Sequence, residues 1–358
     1  MGLIGYAKYL ARARAGRGGN ASAAAMAIAD LADYLLLWAS TPANASWAWP
    51  GVVRSTGLNL EWPLVTAGQS DLLSGVDCIE TDKVGLAGWA LLFAGNVTGN
   101  GTYAAAALRH ARALARWQVA GNATDAPWPF RVDARTGAFL SGRKNGDVVF
   151  ALRLFRALAA QPAHAAEFAP HAAALWAWVR DVQLPTADAQ LPAAQGLFVN
   201  FFEDKSSAAP ETNRNSWTAL ELARFLVEQR GALDADWRAH TEALLTYALT
   251  LFGYPSNVGN VTLMGEQDND RKGWGGASSK LGGVAALYAC AGGPAWYGTL
   301  GAANAAHMAY YTDASNGCRS AQAYEVGATP TAGGWTEDAW LDVLHNLVDA
   351  ADAADGVC

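Results

Sequence analysis

The sequence has little charge, no basic stripe and no long hydrophobic run. Charged residues make up 16% of the 358 residues and the net charge is −7. A chain without a basic patch is a poor partner for nucleic acid, so none is expected. The nearest approach to a membrane span is Leu31–Ala39, which falls well short of the roughly 20 apolar residues required. Hydrophobic residues reach 52%, which is enough for a sizeable core.

Cysteine is also scarce, and the spacing of the cysteines matches no zinc site. The four cysteines are Cys78, Cys290, Cys318 and Cys358, an even set that allows three pairings. Because Cys318 and Cys358 both lie outside the predicted helices, a disulfide between them is expected.

No secretory signal peptide is visible, because residues 1–16 already read as a helix. The true N-terminus is therefore expected to precede Met1. Six glycosylation sequons are nevertheless present, mostly in loop-like sequence, and begin at Asn20, Asn44, Asn96, Asn100, Asn122 and Asn260. Six sequons predict a secreted, extracellular glycoprotein. The alternative is a cytosolic chain with chance matches.

Strand signals are sparse, whereas helical periodicity recurs along the whole chain. Helices are predicted at 2–16, 22–40, 82–95, 102–120, 145–160, 165–183, 213–230, 234–252, 277–291, 293–312 and 336–353. Short and long connections alternate between them. A helix-pair repeat of roughly 60 residues places the short turns at one end and the long loops at the other. The helices that follow long loops are rich in small residues, which suits the close packing of an inner ring.

This alternation resembles the (α/α)6 toroids of the six-hairpin glycosidase superfamily. The resemblance covers nearly the whole chain and is one of architecture. It implies an all-α fold with a single domain over 1–358, built as a toroid of helical hairpins with its long loops on one face. Six inner-type and five outer-type helices are counted, so the missing first helix is expected before Met1. An open solenoid of helix pairs is the alternative.

The long loops carry the candidate catalytic carboxyls and are expected to converge on one mouth. Glycoside hydrolysis needs one protonated carboxyl and a second carboxylate beside the scissile bond. Crowded acids, as in 265–276, push one pKa upward. The candidates are Glu266, Asp268, Asp270, Asp77, Glu80, Glu203 and Asp147. The alternative for each acid is a solvated loop charge or a helix cap.

Indoles and polar side chains of the same loops are candidates for binding sugar. Indole faces stack on the C–H faces of sugar rings, and Arg271 with Lys272 suits the carboxylate of an acidic sugar. The candidate substrate-binding residues are Trp62, Trp128, Arg214, Asn215, Arg271, Lys272, Trp274, Tyr324 and Trp335. Loop packing is the alternative for each tryptophan.

The sequence departs from the family pattern at its catalytic motifs. The mannanase branch carries an adjacent Asp–Asp pair, and no such dipeptide occurs here; the pairs at 203–204 and 337–338 are the nearest. The unsaturated-uronide branch uses separated aspartates, and Asp147 matches these in position only.

Other chemistries are less favoured. All six histidines lie in predicted helices or, for His164, directly before one, which disfavours a histidine metal site or a Ser-His-Asp triad. Residues 268–270 lack the spacing of a calcium loop, so no cofactor is expected and calcium is the alternative. The sequence predicts a secreted glycoside hydrolase that acts on a poly- or oligosaccharide through paired loop carboxylates. The alternatives are a uronic-acid lyase or epimerase that uses Tyr324, Arg214 and Asn215, and a non-catalytic structural or sugar-binding glycoprotein, including a self-assembling subunit.

Overall fold

The computed structural model describes residues 1–55, 77–140, 143, 145–188, 190, 214–256, 261–267, 270–310, 312–313, 319–320, 323–324 and 336–358. Within these ranges the chain forms eleven α-helices. They are α1 (Gly2–Arg14), α2 (Ala21–Leu37), α3 (Thr81–Thr98), α4 (Gly101–Trp117), α5 (Val149–Ala159), α6 (Ala165–Trp178), α7 (Ser216–Gln229), α8 (Trp237–Phe252), α9 (Gly275–Cys290), α10 (Ala295–Tyr310) and α11 (Thr336–Ala354). Each matches a predicted helix, with ends that differ by a few residues.

Short strands lie between the helices. They are β1 (Cys78–Glu80), β2 (Arg131–Asp133), β3 (Gly253–Pro255), β4 (Thr262–Gln267), β5 (Asp270–Trp274), β6 (Thr312–Asp313), β7 (Arg319–Ser320) and β8 (Ala323–Tyr324). All of the pairings are antiparallel, in the orders β1–β2, β3–β4–β5–β8 and β6–β7. Strands of two to six residues leave almost no period-two pattern in the sequence, which is why the sequence did not predict them.

The chain divides into two compact units. One, called here the terminal unit, comprises Met1–Ala24, Ala187–Leu191 and Arg214–Cys358. The other, the central unit, comprises Ala25–Thr186 and Pro192–Asn213. The central unit therefore contains α3–α6 and most of α2, and the terminal unit contains α1 and α7–α11.

In the terminal unit, α7, α9, α11 and α1 pack in that order, while α8 packs on α7 and α10 on α9. Glycines let these helices approach closely. A Cβ at Gly283 of α9 would lie 2.8 Å from the carbonyl oxygen of Asn346 in α11, and one at Gly301 of α10 would lie 2.7 Å from the amide nitrogen of Ala286 in α9. The predicted close packing of the helices rich in small residues is therefore observed here.

In the central unit, α3 packs against both α4 and α5, and α5 packs against α6. Helices that follow long loops thus contact each other, and each also contacts the helix that follows it. A Cβ at Gly85 of α3 would lie 2.8 Å from the amide nitrogen of Ala151 in α5. Both units therefore consist of helical hairpins, and the predicted all-α class is confirmed. None of the described helices is long and apolar enough to cross a membrane.

The predicted disulfide is wrong in one partner. Cys358 bonds to Cys290, the last residue of α9, with 5.8 Å between the two Cα atoms. Cys290 falls inside a predicted helix, but the last residue of a helix is as open to a partner as a loop residue is. Cys78 is a buried free thiol, and Cys318 lies outside the described residues.

Candidate functional site

The described parts of the predicted long loops meet in pairs. In the central unit, β1 pairs with β2, so that Cys78 faces Asp133 and Glu80 faces Arg131. In the terminal unit, β5 pairs with β8 and places Gly273 opposite Tyr324. Within each unit, candidate residues from distant segments are therefore brought together.

Glu80 is a buried carboxylate held by two cations. It precedes α3 as the N-cap residue in an extended conformation. Arg131 donates from Nε to Glu80 Oε1 at 2.9 Å, and Lys83 Nζ lies 2.6 Å from Oε2. Burial by itself raises the pKa of Glu80, but the charges of Lys83 and Arg131 outweigh burial and hold that pKa below its ordinary value. Glu80 is therefore an ionised anchor and a poor proton donor.

Asp82, two residues further on, is in the opposite state. Its side chain is only partly exposed and its Oδ1 atom is buried, with no hydrogen-bond partner among the described residues. Burial, followed by the negative charges of Glu80 and Asp147, raises the pKa of Asp82 to about 8. A carboxyl that keeps its proton near neutral pH while remaining reachable has the properties of a general acid.

Asn145 links the start of α5, which carries Asp147, to the start of α3, which carries Asp82. Asn145 accepts from the Asp147 backbone N–H at 3.0 Å and donates from Nδ2 to Thr81 Oγ1 at 3.1 Å. One helical turn further along, Gly85 and Ala151 bring the helices into contact. The two helices therefore start at the same end, and the charge of Asp147 acts on Asp82; the two residues are called here the Asp82–Asp147 pair.

The terminal unit gathers a second set of candidates at the starts of α7 and α9. Ser216 Oγ donates to the carbonyl oxygen of Gly265 in β4 at 2.8 Å. This hydrogen bond joins the start of α7 to β4, the strand that carries the half-buried Glu266. Trp274 occupies the N-cap position of α9. Arg214 is half-buried and precedes Asn215, the N-cap of α7.

Several other predicted residues have structural roles. Trp128 is only 2% exposed and donates its indole N–H to the carbonyl oxygen of Leu114 at 3.0 Å, so no face is left for a sugar. Asn215 accepts from Thr218 N–H at 2.9 Å as a helix cap. Asp77 pairs with Arg135 at 2.6 Å.

The remaining candidates are described only in part. Asp270, Arg271 and Lys272 lie in β5 and Tyr324 lies in β8, all with the backbone alone described. The predictions for Asp268, Glu203, Trp62, Trp335, Asn260 and Cys318 fall outside the described residues. Within the described ranges, no group of three or more His, Cys, Asp or Glu side chains is placed to hold a metal ion.

Most of the described sequons are accessible. Asn20, Asn44, Asn96 and Asn122 are exposed, whereas Asn100 is half-buried. Asn100 caps α4 by accepting from Thr102 N–H at 2.9 Å, and Asn122 uses its side-chain oxygen to cap a turn. These contacts use the carbonyl oxygen of each amide, whereas a glycan is attached at the nitrogen.

Sequence reasoning missed Asp82 as a catalytic candidate. An acid in the first turn of a helix is already explained by its favourable interaction with the helix dipole, so its position does not indicate catalysis. The available signal was its position directly after a long loop and beside Glu80, where crowding of acids raises a pKa.

Comparison with known proteins supports the fold. No protein-family model and no curated protein sequence matches the chain. A sugar epimerase from a ruminal bacterium superposes with a TM-score of 0.64 at 11% identity, covering 100% of this chain and 87% of that chain. Cellobiose 2-epimerase from Spirochaeta thermophila DSM 6192 superposes with a TM-score of 0.62 at 13% identity, covering 99% of this chain and 86% of that chain.

An unsaturated glucuronyl hydrolase from Bacillus sp. GL1 aligns at 12% identity over 99% of this chain and 74% of that chain. Its TM-score of 0.37 is too low to support a conclusion about this chain. The two epimerases are (α/α)6 toroid proteins. The predicted resemblance to the six-hairpin superfamily is therefore confirmed as a likeness of fold. At 11 to 13% identity it does not transfer an activity.

Proposed function

We propose that the chain is a carbohydrate-active enzyme, and specifically a glycoside hydrolase whose general acid is Asp82. The observation that carries the proposal is the Asp82–Asp147 pair. One carboxyl of this pair has its pKa raised to about 8 by burial and by neighbouring negative charge. Glycoside hydrolysis requires one carboxyl that donates a proton and a second carboxyl that accepts one. The fold likeness to two sugar epimerases supports a sugar as the substrate.

The pair divides the reaction between a proton donor and a proton acceptor. Asp82 gives its proton to the glycosidic oxygen as the bond from that oxygen to the anomeric carbon breaks. Asp147 accepts a proton from a water molecule whose oxygen bonds to the anomeric carbon. One water is consumed, and exchange with solvent returns the proton from Asp147 to Asp82.

Glu80 acts on the pair without touching the substrate. Arg131 and Lys83 keep it ionised, and its negative charge is the second cause, after burial, of the raised pKa of Asp82. The ion pairs around Glu80 therefore help to set the protonation of the acid.

Sugar epimerisation is the second candidate, and the two epimerases of similar fold favour it. It would move a proton off a substrate carbon and back, whereas hydrolysis moves protons only between oxygens. Asp82 disfavours a non-catalytic glycoprotein. A buried carboxyl oxygen without a hydrogen-bond partner among the described residues lowers the stability of the fold, and such a group calls for a functional explanation.

The products distinguish the candidates. Neutral and uronic-acid-containing oligosaccharides are incubated with the protein in D2O and followed by NMR. Hydrolysis yields new reducing ends and no deuterium on carbon. Epimerisation leaves the number of reducing ends unchanged and incorporates deuterium on a ring carbon. No turnover on any glycan would contradict both proposals.

A further inference from the structure

A cavity of about 250 Å³ opens in the central unit between the end of α2, the segment 40–54 and α4. Its apolar wall is formed by Leu36, Leu37 and Pro42, and two guanidinium groups, Arg54 and Arg109, face them. None of the lining residues belongs to the Asp82–Asp147 pair or its anchor. The cavity is called here the arginine pocket.

Arg109 has an unused donor. It is half-buried on α4, and its Nε atom is buried without a hydrogen-bond partner among the described residues. Buried guanidinium N–H groups almost always have acceptors. A buried N–H group without a hydrogen bond costs the free energy of removing that group from water. An acceptor inside the pocket would satisfy it.

Arg54 adds a second positive charge. It is only 7% exposed and donates to the carbonyl oxygen of Ser40 at 2.7 Å. Asp77 acts on it electrostatically and is itself bound to Arg135 at 2.6 Å. Burial lowers the pKa of Arg54 despite Asp77, but an arginine stays charged at neutral pH. Among the lining residues no carboxylate opposes the two arginines.

Gly51 keeps the wall beside Arg109 clear. Its φ of +67° lies in the left-handed region that favours glycine. A Cβ there would lie 3.2 Å from Arg109 Nε and 3.1 Å from Ala43 Cβ. The glycine therefore leaves the guanidinium edge open to the pocket.

We propose that the arginine pocket binds an oxyanion, that is, the carboxylate, sulfate or phosphate group of a small molecule. Guanidinium groups bind such groups through charge-assisted hydrogen bonds. The pocket is smaller than the roughly 300–1,000 Å³ of drug-sized sites, which suits a single charged group and the few carbons that carry it. The apolar wall contacts those carbons.

Calorimetric titration of the whole protein with inorganic sulfate, inorganic phosphate and glucuronate tests the proposal, with glucose as the neutral control. At least one oxyanion is expected to bind and glucose is not; which oxyanion binds best identifies the source. Arg109→Gln is expected to weaken binding at least tenfold, because a neutral side chain replaces the cation. Arg116→Gln is the matched control on the same helix and is expected to bind as the parent does.

A second pair of variants avoids the packed arginines. Leu37 and Met26 both lie on α2 and are 70% and 68% exposed, so glutamate is tolerated at either. Leu37→Glu places a negative charge at the mouth of the pocket and is expected to weaken oxyanion binding at least tenfold, while Met26→Glu is expected to have little effect. Equal weakening by both members of either pair, equal binding of glucose, or no binding of any oxyanion at about ten millimolar would overturn the proposal.

Discussion

Two acids separated by one residue show how strongly local environment sets chemistry. Arg131 and Lys83 hold the pKa of Glu80 below its ordinary value, whereas burial and the negative charges of Glu80 and Asp147 raise the pKa of Asp82 to about 8. The sequence indicated Glu80 as a candidate carboxyl. It did not indicate which acid is protonated, because Arg131 lies 51 residues away from Glu80 and reaches it only through the β1–β2 pairing.

The raised pKa of Asp82 predicts a pH dependence of stability. The pKa rises from an ordinary value of 3.8 to about 8 on folding, so between these limits the folded protein holds a proton that the unfolded chain has released. The contribution of Asp82 to the free energy of unfolding therefore falls as pH rises from about 4 to about 8. Asp82→Asn is expected to remove this part of the slope.

Chemical denaturation of the parent and of Asp82→Asn at several pH values in that window measures this difference. Asp181→Asn is the matched control, because Asp181 is an exposed partner of Arg180. Identical pH slopes for the parent and Asp82→Asn would show that the Asp82 proton is not retained on folding.

At the scale of elements, the sequence predicted the helices and missed the strands. Helix starts carry local signals, such as Asn100 and Asn215, whose side chains cap α4 and α7 as their type favours. The strands depend on partners far along the chain: β2 reaches back to β1, and β8 to β5. Long-range pairing of such short segments has no local periodicity to reveal it.

The close contact of α9 with α11 predicts that even one methyl group is too large at Gly283. Gly283→Ala would place a Cβ 2.8 Å from the carbonyl oxygen of Asn346. This oxygen is part of the α11 backbone and cannot move aside without a cost in free energy. A loss of about 1–3 kcal/mol in the free energy of unfolding is expected. Gly101→Ala, with nothing within 4 Å, is the control and is expected to be neutral or slightly stabilising. Equal stabilities would refute the close approach.

A buried charge network in the terminal unit joins α7, α9, α11 and α1. Fully buried Arg224 donates to Glu221 at 2.5 Å and lies 3.1 Å from Asp349. Lys280 reaches the same Glu221 at 2.9 Å, and Lys8 donates to Asp349 at 2.5 Å. No local sequence pattern predicts this network, because its members come from four separate helices.

Removing Arg224 is expected to take one of two cations away from each of the buried carboxyl groups of Glu221 and Asp349. Arg224→Met should lower the free energy of unfolding by about 3–5 kcal/mol. The exposed pair of Arg112 with Glu167 provides the contrast, since Arg112→Met should cost about 1 kcal/mol or less. Denaturant titration compares the two variants, and a similar small loss in both would contradict the importance of the buried network.

At the scale of the whole molecule, alternating loop lengths predicted the hairpin architecture, because that pattern is a property of the entire chain. The disulfide partner was not predictable in the same way. Cys358 lies at the end of the chain, and whether it meets Cys290 or Cys318 depends on where the tail runs after α11. Tail placement is decided by packing, which spacing does not encode.

Secretion remains a prediction that the exposed sequons make testable. Asn20, Asn44, Asn96 and Asn122 are exposed, so glycans are expected on several of them in protein from its native source. Intact mass before and after treatment with an amidase that removes N-glycans measures this. An unchanged mass would contradict the expected extracellular location.

The most direct test of the central claim is the turnover of Asp82→Asn on whichever glycan the parent converts. The amide keeps the shape of the side chain but cannot donate the proton. The account predicts a fall in kcat of roughly 10²- to 10⁴-fold, with a melting temperature no lower than that of the parent and parent-like turnover in Asp181→Asn. Turnover of Asp82→Asn within about twofold of the parent, well inside the range that acid catalysis contributes, would contradict it.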